Sequence, residues 1–433
     1  MRILFVEDFA PDRLAGHGGG RIMYHYAREM QARGHAVAHV CVVRPTEHAA
    51  LARLRAEGQA AYPAWASRSP LRWLRRLLLS LGLPIEYAFC RSVGLAAAVG
   101  QAVAEFQPAV VHATQPHCLE AVFDALAHGP ATSRPPAVVA HAIDVVSKLR
   151  LRQAAAAEGL RGWLARRTLA LAAPRELRLY RRAGAVACHS ASDRAFLRAF
   201  LPAHQPIVVT PLWFEGWDAA RKSAPPAHEG PFDFDALYVG NSRDPRTVEA
   251  LDWFFGQVHP RLPPLSSPWR IAVVSVYPDA PLRCCQTRGV TCLGYVDDLL
   301  ALYDRSRMLI APLRTGGGIH LKILNAFARK CPVVMTSAAS DGIGAEDGAQ
   351  VLIADDPAGF AAHMARLRAE PALGRRLAEA GRRWVANYVK DGFQPLEDLY
   401  RSLAERRPPK SPQRGDVGQH DHRPPAGSQP AGG

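Results

Sequence analysis

The chain has 433 residues, 48% of them hydrophobic and 21% charged, a length above what one hydrophobic core usually supports, so two domains are expected. No uninterrupted apolar run reaches the roughly 18–20 residues of a membrane span, and the opening MRILFVEDFAP has no long apolar region of the kind a signal peptide needs, so a cytoplasmic protein is expected. The net charge of +14 comes with no recognition-helix or zinc-finger pattern, which argues against nucleic acid and for phosphate-bearing ligands or lipid headgroups.

The first half alternates short apolar runs with amphipathic segments. RILFVED suits a buried parallel strand, and a glycine-rich turn, GHGGGR, follows it. GRIMYHYAREMQARGH places Ile22, Tyr26 and Met30 on one helical face and stops at Gly34, after which AVAHVCVV reads as a strand. PAVVHA (108–113) and PAVVAHA (136–142) are further short strands, each reaching a His near its end. In AGAVACHSASDRAFLRAFL a strand leads to Ser190 as a helix cap with Asp193 at the third position, and QPIVVTPLW closes the series. A dinucleotide fingerprint starting at Gly16 would need glycine where Arg21 stands, and the second strand ends CVVRP without an acid, so a nicotinamide or flavin cofactor is not expected.

Residues 213–232, rich in Pro, Gly and charge, read as a linker between a first domain over 1–212 and a second over 233–391. The rhythm restarts with FDALYVGN, a helix through 246–260, WRIAVVSV, VTCLGYV and LYDRSRMLIAP, then PVVMTS, AQVLIAD and two helices over 357–390. Strands alternating with helices of about a dozen residues imply an α/β protein with two doubly wound, Rossmann-like sheets facing across a cleft. The acidic pairs at 297–298 and 355–356 read as helix starts and not as metal ligands. Eight scattered cysteines, none in a CxxC pair, are expected to be reduced and to form no zinc site. The residues from 406 onward lack large apolar groups and are expected to be a disordered tail.

The densest chemistry lies in PLRTGGGIHLKILNAFARKCPVV, residues 312–334. Arg314 leaves a strand, Gly316, Gly317 and Gly318 expose backbone N–H groups, and Lys322 follows one turn into a helix. Helix amides with the positive end of the dipole, an Arg and a Lys make an anion site suited to a diphosphate. No GK[ST] follows, so this is not a Walker loop.

PLRTGGGIHLKILNAFARKCPVVMTS, together with LYVGNSRDPRTVEALDWFFGQVHPRL and LGYVDDLLALYDRSRMLIAPLR, resembles the group 1 (family 4) retaining glycosyltransferases of the GT-B fold, in the subset with a PLRxGGGxxxK motif. Residues 1–45, VACHSASDRAFLRAFL and the helices after DDPAGF are also similar to that family. The resemblance implies sugar transfer from a nucleotide-diphosphate-sugar donor to a polysaccharide or lipid-linked acceptor, with retention and with neither metal nor cofactor. Residue by residue, it puts Arg314 and Lys322 on the diphosphate and Gly316, Gly317 and Gly318 against it. Gly18, Gly19 and Gly20 would close from the other domain. His141 would lie near the transferred sugar, with His112 and His117 weaker candidates. Asp341 matches a donor-binding acid of the family, and Asn325 stands where the family has a ribose-binding Glu. On that reading Asn325→Glu would tighten donor binding. The resemblance further implies that a helix over 392–405 returns to the first domain. SRSPLRWLRRLLLSLGLP (67–84), with Arg72, Trp73, Arg75 and Arg76, could lie on the inner face of a membrane or pack as an ordinary helix. An inactive nucleotide-sugar-binding partner and a nucleotide-sugar epimerase are the alternatives.

Overall fold

The computed structural model describes residues 1–15, 18–66, 84–129, 134–156, 159–221, 230–264, 268–275, 282–315 and 318–405. Residues 67–83 of the basic stretch, the glycines at 16, 316 and 317, and the tail from 406 lie outside the described residues.

Seven strands build the first sheet: β1 (Arg2–Glu7), β2 (Ala36–Val43), β3 (Ala60–Trp65), β4 (Val110–Thr114), β5 (Ala137–His141), β6 (Ala185–Cys188) and β7 (Ile207–Val209). Six build the second: β8 (Ala236–Gly240), β9 (Ile271–Ser275), β10 (Val290–Leu293), β11 (Leu309–Ala311), β12 (Val333–Met335) and β13 (Leu352–Ile353). The strand orders are β3-β2-β1-β4-β5-β6-β7 and β10-β9-β8-β11-β12-β13, with parallel pairing throughout. The central strands are apolar on both faces because helices cover both: Ile3, Leu4, Phe5 and Val6 are all fully buried. The α/β, doubly wound architecture read from the sequence is the one observed.

Each sheet has its order reversal at one place, between β1 and β4 in the first and between β8 and β11 in the second. The carboxyl ends of strands at such a reversal leave a crevice that no crossover helix fills. Helix starts are capped as their sequences require. Ser190 Oγ accepts from the Asp193 amide at 2.9 Å, and Asp298 and Asp356 accept from the amides of Ala301 and Gly359. These two acids of the DD pairs are therefore helix caps.

The segment after residue 212 packs down at its start: Phe214 is fully buried and Trp217, at the head of the short helix Trp217–Arg221, is nearly so. One sequence expectation needs correction. The cysteines are not all free, because Cys285 and Cys292 form a disulfide. A short turn over Arg283–Gln286 brings Cys285 back beside β10, which carries Cys292, with the two Cα atoms 5.5 Å apart. The other six are free and buried.

The chain returns to the first domain after the helix Pro371–Val389, and the helix Gln394–Glu405 packs there. Its Glu397 accepts from Arg33 at 2.8 Å and contacts His35 at 3.1 Å, both beside β2. Hydrogen bonds from Arg33, Arg401 and His35 hold the Glu397 carboxyl down at about 2. Where the two chain crossings meet, the rings of Trp217 and Phe393 stack at 5.1 Å.

Candidate functional site

At the reversal point of the second sheet, the turn after β8 and the start of the helix Leu321–Ala328 enclose a cavity of about 150 Å³. Lys322, His320, Thr315, Arg246 and Asp244 contribute to its lining. Asp244 caps the helix Pro245–Trp253, accepting from the Arg246 amide at 2.9 Å, and the same carboxylate takes the Arg246 guanidinium at 2.7 Å. One acid therefore both starts the helix and aims the cation. Lys322 Nζ sits 4.4 Å from the centre of the Tyr238 ring. Burial, with Arg246 nearby and Asp244 only partly offsetting them, lowers the Lys322 ammonium to about 8. Burial, together with those two cations, pushes the His320 ring down to about 3, and its buried Nε2 has no hydrogen-bond partner among the described residues. The cavity thus gathers two cations and the amides of a helix start, whose charge no acid in the first turn offsets. Such a site accepts a compact polyanion.

Across the cleft, Gly18 begins the helix Gly18–Ala32, and its Cα faces Leu321: a methyl placed there would lie 3.5 Å from Leu321 Cδ1. Gly19 and Gly20 continue the first turn of that helix, Gly20 buried with its carbonyl accepting from the Asp12 amide. Gly318 takes φ +79, and a side chain at Gly342 would fall 2.0 Å from the Gly318 carbonyl oxygen, so this loop is held by backbone against backbone. Each glycine turn therefore faces the opposite domain, Gly18 against Leu321 and Gly318 against Asp144.

Other expected site residues are engaged elsewhere. Arg314 is exposed, donates to the Asp355 carbonyl at 2.9 Å and lies over the Trp253 ring, outside the cavity that Lys322 lines. Asp341 pairs with Lys148 of the first domain at 3.2 Å, and Lys148 also holds Asp193 at 2.9 Å. Asn325 is 2% exposed. Its Oδ1 accepts from the Gly216 amide and its Nδ2 donates to Glu215, both at 2.9 Å. Glu215 in turn receives Arg21 at 2.5 Å. Contrary to the sequence expectation, the Asn325 amide faces the segment joining the domains, because that segment packs down through Phe214 and Trp217.

His141 also departs from expectation, being fully buried and not on the cleft. It is the middle of a hydrogen-bonded row: His112 Nε2 lies 2.7 Å from His141 Nδ1, and His141 Nε2 lies 2.9 Å from His189 Nε2. Tyr400 Oη ends the row 2.6 Å from His112 Nδ1, and the Thr210 carbonyl ends it 2.8 Å from His189 Nδ1. The carbonyl only accepts, so His189 must carry its proton on Nδ1, which sets every later proton up to the Tyr400 hydroxyl. Burial pushes His112 to about 3 and His189 to about 4, so the row is neutral. His117, by contrast, lies at the reversal point of the first sheet, 3.1 Å from Asp8.

The sequence reading passed over Asp244, Arg246 and His320. Their signal was present in NSRDPR, where an Asp-Pro helix start directly follows a strand end.

Two family models match the chain in tandem. Residues 17–213 match the glycosyl transferase 4-like domain, and residues 233–370 match the glycosyl transferases group 1 model. An uncharacterized 44.6 kDa protein in the cps region of Klebsiella pneumoniae is 26% identical over 187 residues, which covers 40% of this chain and 43% of that protein, under half its length. Among solved structures, sucrose-phosphate synthase from Thermosynechococcus elongatus superposes with a TM-score of 0.67 at 16% identity, covering 93% of this chain and 99% of that one. Anabaena HepE, solved in complex with UDP-glucose, gives 0.61 at 16% identity over 92% of this chain and 99% of its own. TarM gives 0.63 at 8% identity, over 94% and 99%. These likenesses establish the fold, and the two family models between them take in most of both halves. The chain belongs to the group 1 glycosyltransferases and has the GT-B fold.

Proposed function

We propose that the protein transfers a sugar, with retention, from a nucleotide-diphosphate-sugar donor to a glycan or lipid-linked acceptor, in the assembly of a cell-envelope polysaccharide. The observation that carries this is the cavity at the β8–β11 reversal, where Lys322, Arg246 and the amides of the helix Leu321–Ala328 converge. When the bond between sugar and diphosphate breaks, negative charge grows on the departing phosphate. Cations and amides already in place stabilise it without reorganising. The Asp244 carboxylate is taken up by Arg246, so the departing charge is met by nitrogen cations and backbone amides of the chain itself, and this reading calls for no metal.

In this reading Gly316, Gly317 and Gly318 bring backbone to the diphosphate, and Gly18, Gly19 and Gly20 close over it. Arg314 joins them only by leaving the Asp355 carbonyl, and Asp341 acts through Lys148 as a tie between the domains. The acceptor binds on the first domain, at the cytoplasmic face of the membrane. The Klebsiella relative's place in a cps region and the UDP-glucose held by HepE support the assignment of pathway and donor class. A thermal-shift screen with UDP-, GDP-, ADP- and dTDP-sugars, followed by donor turnover with a membrane extract, tests it. Arg246→Ala and Lys322→Ala are expected to lose about tenfold or more in nucleoside diphosphate affinity, and Arg314→Ala less. If the wild type stabilises with none of these ligands, the donor assignment fails. Binding without turnover would point instead to an inactive binding partner.

A further inference from the structure

The reversal point of the first sheet gathers a different chemistry. Cys90, on the helix Ile85–Val93, meets His117 and Cys118 in the first turn of the helix Pro116–His128. The two sulfurs and a ring nitrogen all lie within 4.8 Å of one another, and all three residues are buried. In a tetrahedral zinc site with bonds of about 2.3 Å to sulfur and about 2.0 Å to nitrogen, ligand atoms stand roughly 3.5–3.8 Å apart, so modest side-chain rotation closes the set. Asp8, at the end of β1, places Oδ2 3.1 Å from His117 Nε2, the position from which a carboxylate orients a metal-bound imidazole. The Tyr87 and His117 rings pack in a T-shape with their centroids 5.9 Å apart. An entry path exists: Cys90 and His117 line a cavity of about 420 Å³ whose wall also carries Glu120 and Asp124.

We propose that Cys90, His117 and Cys118 bind a zinc ion, with Asp8 holding the far side of the His117 ring and the fourth position open to the cavity. Two thiolates and a neutral imidazole favour a soft tetrahedral cation over magnesium or calcium. Binding forms two zinc–sulfur bonds and one zinc–nitrogen bond, breaks the two S–H bonds and any N–H bond on the coordinating nitrogen of the His117 ring, and releases those protons to solvent. The ion ties the helices Ile85–Val93 and Pro116–His128 to the end of β1. The spacing concealed this set from a search for CxxC pairs, because one ligand comes from an earlier helix.

The full-length chain, reduced with a phosphine and freed of metal by a chelator, is titrated with cobalt and then zinc. Thiolate-to-cobalt charge-transfer absorption saturating at one equivalent, its displacement by zinc, and proton release on binding are expected. Cys90→Ser and Cys118→Ser are expected to abolish the absorption. The Cys285→Ser/Cys292→Ser variant, which removes the other cysteine cluster, is expected to retain it. Asp8→Asn leaves all three ligands in place and is expected to weaken zinc binding about tenfold to a hundredfold, which keeps the test open should a cysteine variant fail to fold. No thiolate–cobalt absorption in the wild type, absorption persisting in both cysteine variants, or unaltered zinc affinity in Asp8→Asn would each overturn the proposal.

Discussion

Replacing Lys322 by Met removes a charge while keeping an unbranched side chain against the Tyr238 ring. Burial lowers the Lys322 ammonium from 10.5 to about 8, so the folded protein holds this charge at a disadvantage. At about 1.4 kcal/mol per pH unit, that displacement amounts to about 3 kcal/mol of stability forgone at neutral pH. The unfolded chain binds the proton up to its ordinary value and the folded chain releases it near 8. The penalty is therefore full below about 8 and fades as pH rises toward 10.5. Lys322→Met is accordingly expected to raise the stability of the ligand-free protein by up to about 3 kcal/mol at pH 7, with the gain shrinking across that alkaline window. The same change is expected to remove most affinity for nucleoside diphosphates, because the cavity loses one of its two cations. Urea denaturation at a series of pH values reads the first effect, and calorimetry with UDP or GDP reads the second. A variant that is no more stable than the wild type, or that binds the diphosphate as tightly, refutes the placement of Lys322 as a strained cation awaiting an anion.

Asn325→Glu sets a second carboxylate against Glu215 in a buried position and removes the amide that Glu215 accepts from, so a loss of about 2–4 kcal/mol is expected by urea midpoint. Unchanged stability with tighter nucleotide binding would show instead that residue 325 faces the donor ribose. Tyr400→Phe leaves His112 Nδ1 without its donor, and a loss of about 1–3 kcal/mol is expected, with earlier proteolysis of the helix Gln394–Glu405. Equal stability of the two proteins counts against the proton order assigned to the row. The same row makes the protein acid-sensitive. Unfolded histidines take protons from about 6.5 downward, whereas His189 and His112 wait until about 4 and about 3, so stability is expected to fall across that interval. In His112→Gln the fall is expected to be shallower, and an identical slope would count against the row as its source.

Strands and their parallel pairing were legible because buried parallel strands write themselves as short apolar runs, and RILFVED and AVAHVCVV could be little else. The Ser190 cap was legible because its partner, the Asp193 amide, lies three residues on in the chain. What escaped notice depended on partners distant in sequence. His141 looked like a cleft residue because nothing local reveals His112 and His189 closing around it. Asn325 looked like a ligand-facing residue because its true partners, Glu215 and Gly216, come from the other side of a domain crossing. Arg314 and Arg246 show the limit within the cavity itself. Both follow a strand end within about six residues, and only the fold reveals that Asp244 points one inward while Asp355 and Trp253 hold the other out.

The stacked rings of Trp217 and Phe393 belong to the two places where the chain passes from one domain to the other. Because the helix Gln394–Glu405 is fastened to the first domain by Glu397 and Tyr400, the second domain is an insertion with both its entry and its exit tied to the same body. The two crossings touch, so they act as one pivot and not as two independent tethers. A domain hung this way turns about a single pin, and it carries the Gly318 turn past the first domain, to which Gly18 belongs. Opening the cleft therefore changes the distance between those turns while leaving the Trp217–Phe393 stack in place. The joint is made of packed aromatic rings that belong to the same apolar core as both sheets.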